Sequence, residues 1–366
     1  MPSAQLKSKN VTVVLVGALL ISIYFPFSIG ITFYQQWFVK KEFRFPLFVV
    51  LCHYILKFLF ASICRKVYSL YGRRCCGDRA GSYDWVNLGW QDFVLRLGAV
   101  GVAASIDIGL SNWSFQFITV SLYTMAKSSS IIFILIFSVI FSLEKCRVLT
   151  VGTVGCIASG LFLFTYRSTQ FDIIGFLLVE LATVCAGIRW TCSQLLMQKM
   201  ENGLHHPLDM IYHVQPWMIL SIIPLVFGFE GVSLARAAID SVGHGVFPVE
   251  RVLGLILAGA LLAFVMEMAE YALLVHTSSL TLNVCGIAKE IITLILAHHY
   301  KGDQFSPVNI VGLVVCISGV SLHVYSRASS ASRNDVKQVH DSMEDQLALM
   351  NHEEGSDDNG GFESRL

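Results

Sequence analysis

Two lysines stand where lysine is least expected. In "SLYTMAKSSSIIFILIFSVIFSLE", Ser121 to Glu144, no charge follows Lys127 until Glu144. In "SSLTLNVCGIAKEIITLILAHHYK", Lys289 and Glu290 are the only charges before Lys301. An ionised group at the centre of a bilayer costs roughly 2.5–3.5 kcal/mol on insertion scales. Lys127 and Lys289 lie about seven and about nine residues into their apolar runs, about 10 Å deep or more at 1.5 Å per residue. An ammonium is a compact point charge with three donors, suited to holding a carboxylate or a phosphate. Thr124 and Ser128 put small polar groups beside Lys127, and Gly286 and Thr293 lie beside Lys289 at helical spacing. Two such cations suit a negatively charged ligand. The plainer alternative is a buried ion pair, for which Asp107, Glu180, Glu267, Glu270 and Glu290 are available. The two readings coexist if a carboxylate, Glu270 foremost, neutralises a lysine until the anion arrives.

Further polar groups inside apolar runs point to a lined cavity. Glu267, Glu270 and Tyr271 share one helical face at i, i+3 and i+4, and His53 and Lys57 share another. Arg189 sits within the sixth run, and Tyr34, Gln35 and Gln36 close the first. Asn112, Tyr123 and Tyr271 are candidate contacts to a base or a sugar. A lone histidine such as His53 is more often a packed residue than a ligand. There is no nucleophile–base–acid set and no His/Cys/Asp/Glu cluster at metal spacing, so the sequence predicts no enzyme, no metal and no cofactor. The ten cysteines include no CxxC pair and mostly lie in apolar runs as packed thiols. Cys64, Cys75 and Cys76 flank a basic segment, where palmitoylation is the alternative to unmodified thiols.

The elements that must position these groups are membrane helices. The 366 residues are 54% hydrophobic and 14% charged, with mean hydropathy +0.62, against about 25% charged residues in soluble globular chains. A net charge of zero gives no reason to expect a nucleic-acid partner. About ten spans are expected, at 11–38, 46–64, 91–116, 120–143, 148–166, 173–197, 211–229, 251–274, 280–299 and 307–325. The first is too long for a signal-peptide core. The short connector Phe117–Thr119 should make helices three and four antiparallel neighbours. One set of loops and both termini carry about 14 Lys and Arg, the opposite loops about 7, so both termini should be cytosolic. The polar, acidic tail, with "HEEGSDDNGGFESRL", has the composition of a disordered segment. Ser364-Arg365-Leu366 resembles a peroxisomal address, an unpromising one on a polytopic chain. Neither sequon, at Asn10 or Asn112, is placed for glycosylation.

Two stretches repeat one another. "AKSSSIIFILIFSVIFSLEKCRVLTVGTVGCIASGLFLFTYRS" and "AKEIITLILAHHYKGDQFSPVNIVGLVVCISGVSLHVYSR" both run Ala-Lys, apolar span, charged turn, apolar span with a late glycine, then tyrosine and a basic residue. Lys127 pairs with Lys289, Gly160 with Gly319 and Tyr166 with Tyr325. An offset of five spans turns the copies upside down relative to each other, an arrangement of transporters that hold solute near the midplane. The expected division is a tail at 1–10, five-helix repeats at 11–166 and 167–325, and a disordered acidic tail at 326–366. Chance likeness between apolar helices is the alternative.

"SNWSFQFITVSLYTMAKSS", Ser111 to Ser129, resembles the helix three to helix four segment of the triose-phosphate and nucleotide-sugar transporters of solute carrier family 35, with Ser111, Asn112, Ser114, Val120, Ser121 and Lys127 on the pattern. "FSIGITFYQQWFVKKEFRFPLFVVLCHY" resembles that family's first hairpin and "SSLTLNVCGIAKE" the start of its helix nine. The similarity runs over nearly all of 11–325 and points to subfamily C, near the GDP-fucose transporters. The resemblance implies an all-α polytopic protein with ten helices in a five-plus-five inverted repeat, the drug/metabolite transporter fold. It implies antiport in the Golgi or ER membrane, nucleotide sugar entering the lumen and nucleoside monophosphate leaving. By the same resemblance Lys127 and Lys289 bind the phosphates. Gln35-Gln36 replaces the Asn-Lys of many relatives, and Lys289-Glu290 replaces a Lys-Arg pair, which weakens the case for a plastid-type phosphate exchanger. The alternatives are an organic-anion exchanger or a non-transporting membrane factor that modulates fucosylation through partners. A homodimer is compatible with all of these.

Overall fold

The computed structural model describes residues 2–76, 91–127, 129–143, 148–165, 172–199, 204–244, 249–301, 306–319, 321–322 and 325–326. Among them there are helices and short turns and no strand. In chain order the helices are α1 (Pro2–Trp37), α2 (Pro46–Cys76), α3 (Gly98–Ser114), α4 (Val120–Lys127), α5 (Ser130–Ile140), α6 (Val148–Thr165), α7 (Ile173–Gln194), α8 (Pro207–Leu225), α9 (Gly231–His244), α10 (Val249–His276), α11 (Ser279–Lys301) and α12 (Pro307–Gly319). Wider π turns adjoin them at Phe38–Glu42, Asp92–Leu97, Leu195–Lys199 and Val226–Glu230. Six described segments are long and apolar enough to cross a membrane: Gly17–Glu42, Pro46–Leu70, Phe93–Ser114, Ile173–Gln198, Pro207–Ala237 and Glu250–His276. Shorter apolar helices occupy Ser130–Ile140, Val148–Gly160 and Pro307–Gly319. Leu19, Ile63, Leu181, Leu220 and Leu261 are each more than half exposed, as side chains facing lipid tails are. With its backbone bonded inside helices, the chain is an all-α polytopic membrane protein.

Every expected span coincides with helix, with local differences. The fourth run is divided into α4 and α5. Ser129 N donates to Ala126 O at 3.1 Å and Ile132 N to Ser129 O at 3.0 Å, so the backbone tightens just after Lys127. α1 already begins at Pro2, inside the expected tail. α2 continues to Cys76, so Arg65 and Lys66 ride on helix rather than loop; lysine and arginine are good helix formers and need no apolar face outside the bilayer. Between α8 and α10 lies α9, whose Val232 and Ile239 are exposed. The basic loop from residue 77, Tyr166 and the acidic tail beyond 326 lie outside the described residues.

Helix starts are fixed by named acceptors. Asp172 Oδ1 accepts from Gly175 N at 2.8 Å and opens α7. Ser306 and Asn309 cap α12 reciprocally, Ser306 N donating to Asn309 Oδ1 at 2.8 Å and Asn309 N to Ser306 Oγ at 3.4 Å. The start of α2 borrows its cap from another element: Glu230 takes Leu47 N and Phe48 N on its two carboxylate oxygens, both at 2.9 Å.

α3 packs along α7 and α8, α1 along α10, and α2 along α8 and α10. α5 lies on α7 and α11, and α11 also meets α1. Tyr123 touches Phe115 with ring centroids 4.4 Å apart, and Lys127 reaches back to Ser111 and Asp107. α4 thus reaches back to α3 through these side chains, but its backbone packs on α7, α11 and α6 and not along α3, so the close pairing expected from the short connector is made by side chains alone. The main core joins α1, α2, α3, α7, α8, α10 and α11 through residues such as Tyr54, Val100, Val214, Met218 and Leu274. A second core joins α5, α6, α11 and α12 through Ile131, Ile157, Ile287 and Cys316. There α6 and α12 cross at glycines. A Cβ on Gly160 would lie 2.5 Å from Cys316 N, and one on Gly319 would lie 3.0 Å from Ile157 N. Only glycine lets these two backbones approach so closely.

Candidate functional site

Eight charged side chains within the spans converge. One cavity of about 190 Å³ is lined by Lys57 from α2, Asp107 from α3, Lys127 from α4, Arg189 from α7, Glu267 and Glu270 from α10, and Lys289 and Glu290 from α11. Four cations and four carboxylates thus share one wall, and with histidine neutral their formal charges cancel.

Asp107 is the hub. One of its oxygens accepts from Lys127 Nζ, and the other from Arg189 Nη1 at 3.2 Å. Lys127 also donates to Ser111 Oγ at 2.9 Å. Asp107 and Ser111 are one helical turn apart, so α3 offers Lys127 a two-point seat. Arg189 extends the chain of charges, with Nη2 lying 3.8 Å from Glu270 Oε2 and the guanidinium stacking on Trp190 at 4.4 Å. Its Nε is buried without an acceptor. A second pair stands beside this group: Lys57 Nζ donates to Glu267 Oε2 at 2.7 Å, and Gln215 Nε2 to the same oxygen at 3.0 Å. Both partners are buried, and Glu267 Oε1 has no donor. Unpaired, any of these charges would carry a heavy desolvation penalty; paired, they persist.

Lys289 differs from the other three cations. Its Nζ donates to Ser28 Oγ at 3.0 Å and sits 5.7 Å from the centre of the Tyr24 ring. Among the described residues it pairs with no carboxylate. Its two contacts, a hydroxyl and an aromatic face, steady an ammonium without cancelling its charge.

Five of the six expected site residues line this cavity: Lys127, Lys289, Asn112, Tyr123 and Glu270. Asn112 Nδ2 donates to Ile108 O at 2.8 Å. Tyr123 stands on Phe115 at the wall. Tyr271 lies elsewhere: it is fully buried behind the wall, in the main core, with its ring 6.0 Å from Trp190. Its i+4 relation to Glu267 puts it on the right helical face, yet the wall at that turn is formed by Glu267 and Glu270. Glu270 was expected to neutralise a lysine. Its ion-pair partner is Arg189, and the carboxylate on Lys127 is Asp107. Glu180 stays off the cavity wall, where Ser129 Oγ donates to Oε2 at 3.2 Å. His53 does reach the wall, packed against Gly259 on α10, with Nε2 buried and without a partner. Arg189 and Ser28 join the wall beyond the six expected site residues. Arg189 is the lone cation of α7, which was signal enough; Ser28 is one small residue in an apolar helix and gives none.

No side chain here is set up to break a bond. The wall offers ammonium and guanidinium donors, carboxylates that hold them, and aromatic and amide surface, which is what holding and releasing a polar anion requires. Fold and cavity define a multi-pass membrane protein with a charged internal cavity. Residues 15–326 match the Triose-phosphate Transporter family, and the chain belongs to it. A probable sugar phosphate/phosphate translocator of Arabidopsis thaliana is 34% identical over 239 residues, covering 65% of this chain and 57% of that protein. The chain thus matches little more than half of that relative's length. The protein named "Putative nucleotide-sugar transporter YMD8" in Saccharomyces cerevisiae is 26% identical, with 82% of each chain covered. Among solved structures, one crystal structure superposes with a TM-score of 0.53 at 12% identity, over 86% of this chain and 96% of its own. At that identity the likeness concerns the fold alone. The family is one of transporters and both relatives are named as such, so the protein is a transporter and not an enzyme.

Proposed function

We propose that the protein is a nucleotide-sugar antiporter of the Golgi or ER membrane, in subfamily C near the GDP-fucose transporters. It takes cytosolic nucleotide sugar, GDP-fucose or a close analogue, in exchange for lumenal nucleoside monophosphate. One observation carries this reading: Lys127 and Lys289, from the two stretches that repeat in sequence, line the same cavity. The diphosphate would lie between them, with Asn112 and Tyr123 beside the base or sugar. Two inverted five-helix halves suit the packing. α1 on α10 answers α7 on α3, α2 on α10 answers α8 on α3, α5 on α7 answers α11 on α1, and Gly160 answers Gly319. Each pair exchanges partners when the spans are shifted by five.

A second reading has its own support. The relative at 34% identity is named for sugar phosphate and phosphate. A cavity of about 190 Å³ is below the roughly 300–1,000 Å³ of sites for drug-sized ligands. A sugar phosphate fits with little rearrangement, whereas a nucleotide sugar requires the walls to part. Counterflow in proteoliposomes across nucleotide sugars, sugar phosphates and inorganic phosphate separates the two. Preference for a guanine nucleotide sugar supports the first, and preference for a sugar phosphate replaces it. No counterflow by folded protein for any of them would leave the non-transporting factor standing.

A further inference from the structure

A carrier site that bears uncompensated charge incurs a heavy desolvation penalty in any dry, occluded intermediate it passes through without its counter-ion. The cavity of this protein lowers that penalty from within. Lys57, Lys127, Arg189 and Lys289 are matched in number by Asp107, Glu267, Glu270 and Glu290. The match is also geometric at its centre. Asp107 places one oxygen on Lys127 and the other on Arg189, the two-pronged bridge that two oxygens of a phosphate group would make to the same donors. Ser111 supplies Lys127 with a further acceptor. The carboxylate is held on α3, close-packed along α7, and the three side chains are at most 17% exposed.

We propose that Asp107 is a built-in surrogate for the substrate's phosphate. It occupies Lys127 and Arg189 when no anion is bound, is displaced when one binds, and so lets the unloaded carrier reorient. This inference rests on the transport reading above and departs from its strict antiport: the protein carries out net uptake as well as exchange. Asp107 is thereby a coupling residue, setting how often the carrier returns without cargo, while Lys289, held among the described residues by Ser28 and Tyr24, remains the first landing point for the anion.

Purified protein in liposomes is given labelled GDP-fucose, a sugar phosphate or inorganic phosphate, with the lumen either free of anion substrate or preloaded with the same compound. For whichever probe gives counterflow, wild-type net uptake into substrate-free liposomes should proceed within about tenfold of the exchange rate, a gap of no more than about 1.4 kcal/mol. Asp107→Asn should bind pyrophosphate at least several-fold more tightly and lower the ratio of net uptake to exchange about tenfold. Asp107→Glu keeps the surrogate charge, so its ratio should stay near wild type; this arm and the wild-type ratio carry the test if Asp107→Asn does not fold. Robust wild-type counterflow with net uptake at background overturns the proposal, as does weaker pyrophosphate binding by folded Asp107→Asn. Absence of counterflow for every probe removes the transport reading, and this inference with it.

Discussion

Among the cavity cations, what surrounds each one decides what its loss will do. Lys289 is tied to a hydroxyl and a ring, so Lys289→Ala strands no carboxylate that is paired with it. Transport should fall at least about tenfold, equivalent to about 1.4 kcal/mol, with thermal stability in detergent near wild type. Lys127→Ala removes one of Asp107's two cations and leaves Arg189 in place, so it should cost both transport and some stability. Arg189→Ala strips a cation from Asp107 and Glu270 together; breaking a buried pair costs about 3–5 kcal/mol, and this variant should melt lowest of the three. The order Lys289→Ala, Lys127→Ala, Arg189→Ala in thermal melts checks it, and a Lys289→Ala protein that melts with Arg189→Ala would show that lysine to be structural. Lys127 and Lys289 were legible in the sequence because a charge in an apolar run announces itself. The identity of their partners was not. Choosing between Asp107 and Glu270 for Lys127 requires knowing which helices touch, and α3 and α10 present equally reasonable carboxylates until the bundle is assembled. Tyr271 shows the same boundary from the other side: helical spacing gave its face but not its depth.

At the scale of the elements, apolar length and turn chemistry located every span, since lipid leaves the backbone few choices. The interruption between α4 and α5 was not visible, because "KSSS" is as compatible with a continuous helix as with a tightened turn. Nor was the cap on α2. Its start lacks a local side-chain acceptor, and Glu230, far along the chain, fills the role. Glu230→Ala should therefore lower stability by about 0.5–2 kcal/mol, the usual worth of a cap, and raise hydrogen exchange at Leu47 and Phe48. Unchanged exchange there would separate Glu230 from α2. Gly160→Leu forces a side chain into the backbone of α12. Overpacking of this kind costs typically about 1–3 kcal/mol, so the folded yield and melting temperature should both drop. The lipid-facing control Gly152→Leu, where a Cβ meets nothing within 4 Å, should leave both near wild type.

For the whole molecule, the excess of lysine and arginine on one set of loops predicts that both termini face the cytosol. Tags at either end should be digested by protease added to sealed microsomes without detergent, and protection of one end alone would require an odd number of crossings. Pyrophosphate should protect engineered cysteines at Ser28 and Asn112 from a water-soluble thiol reagent, as both positions line the cavity. The polytopic class followed from composition alone, whereas the charge balance of the cavity needed the coordinates, because it is a property of four cations and four carboxylates from six helices.

The crossing of α6 and α12 bears on how such a molecule can move. With glycine facing backbone on both sides, these helices have nothing between them that can lengthen or compress. They form an incompressible seam, packed on α5 and α11, so any rearrangement that keeps the fold must carry α6 and α12 together.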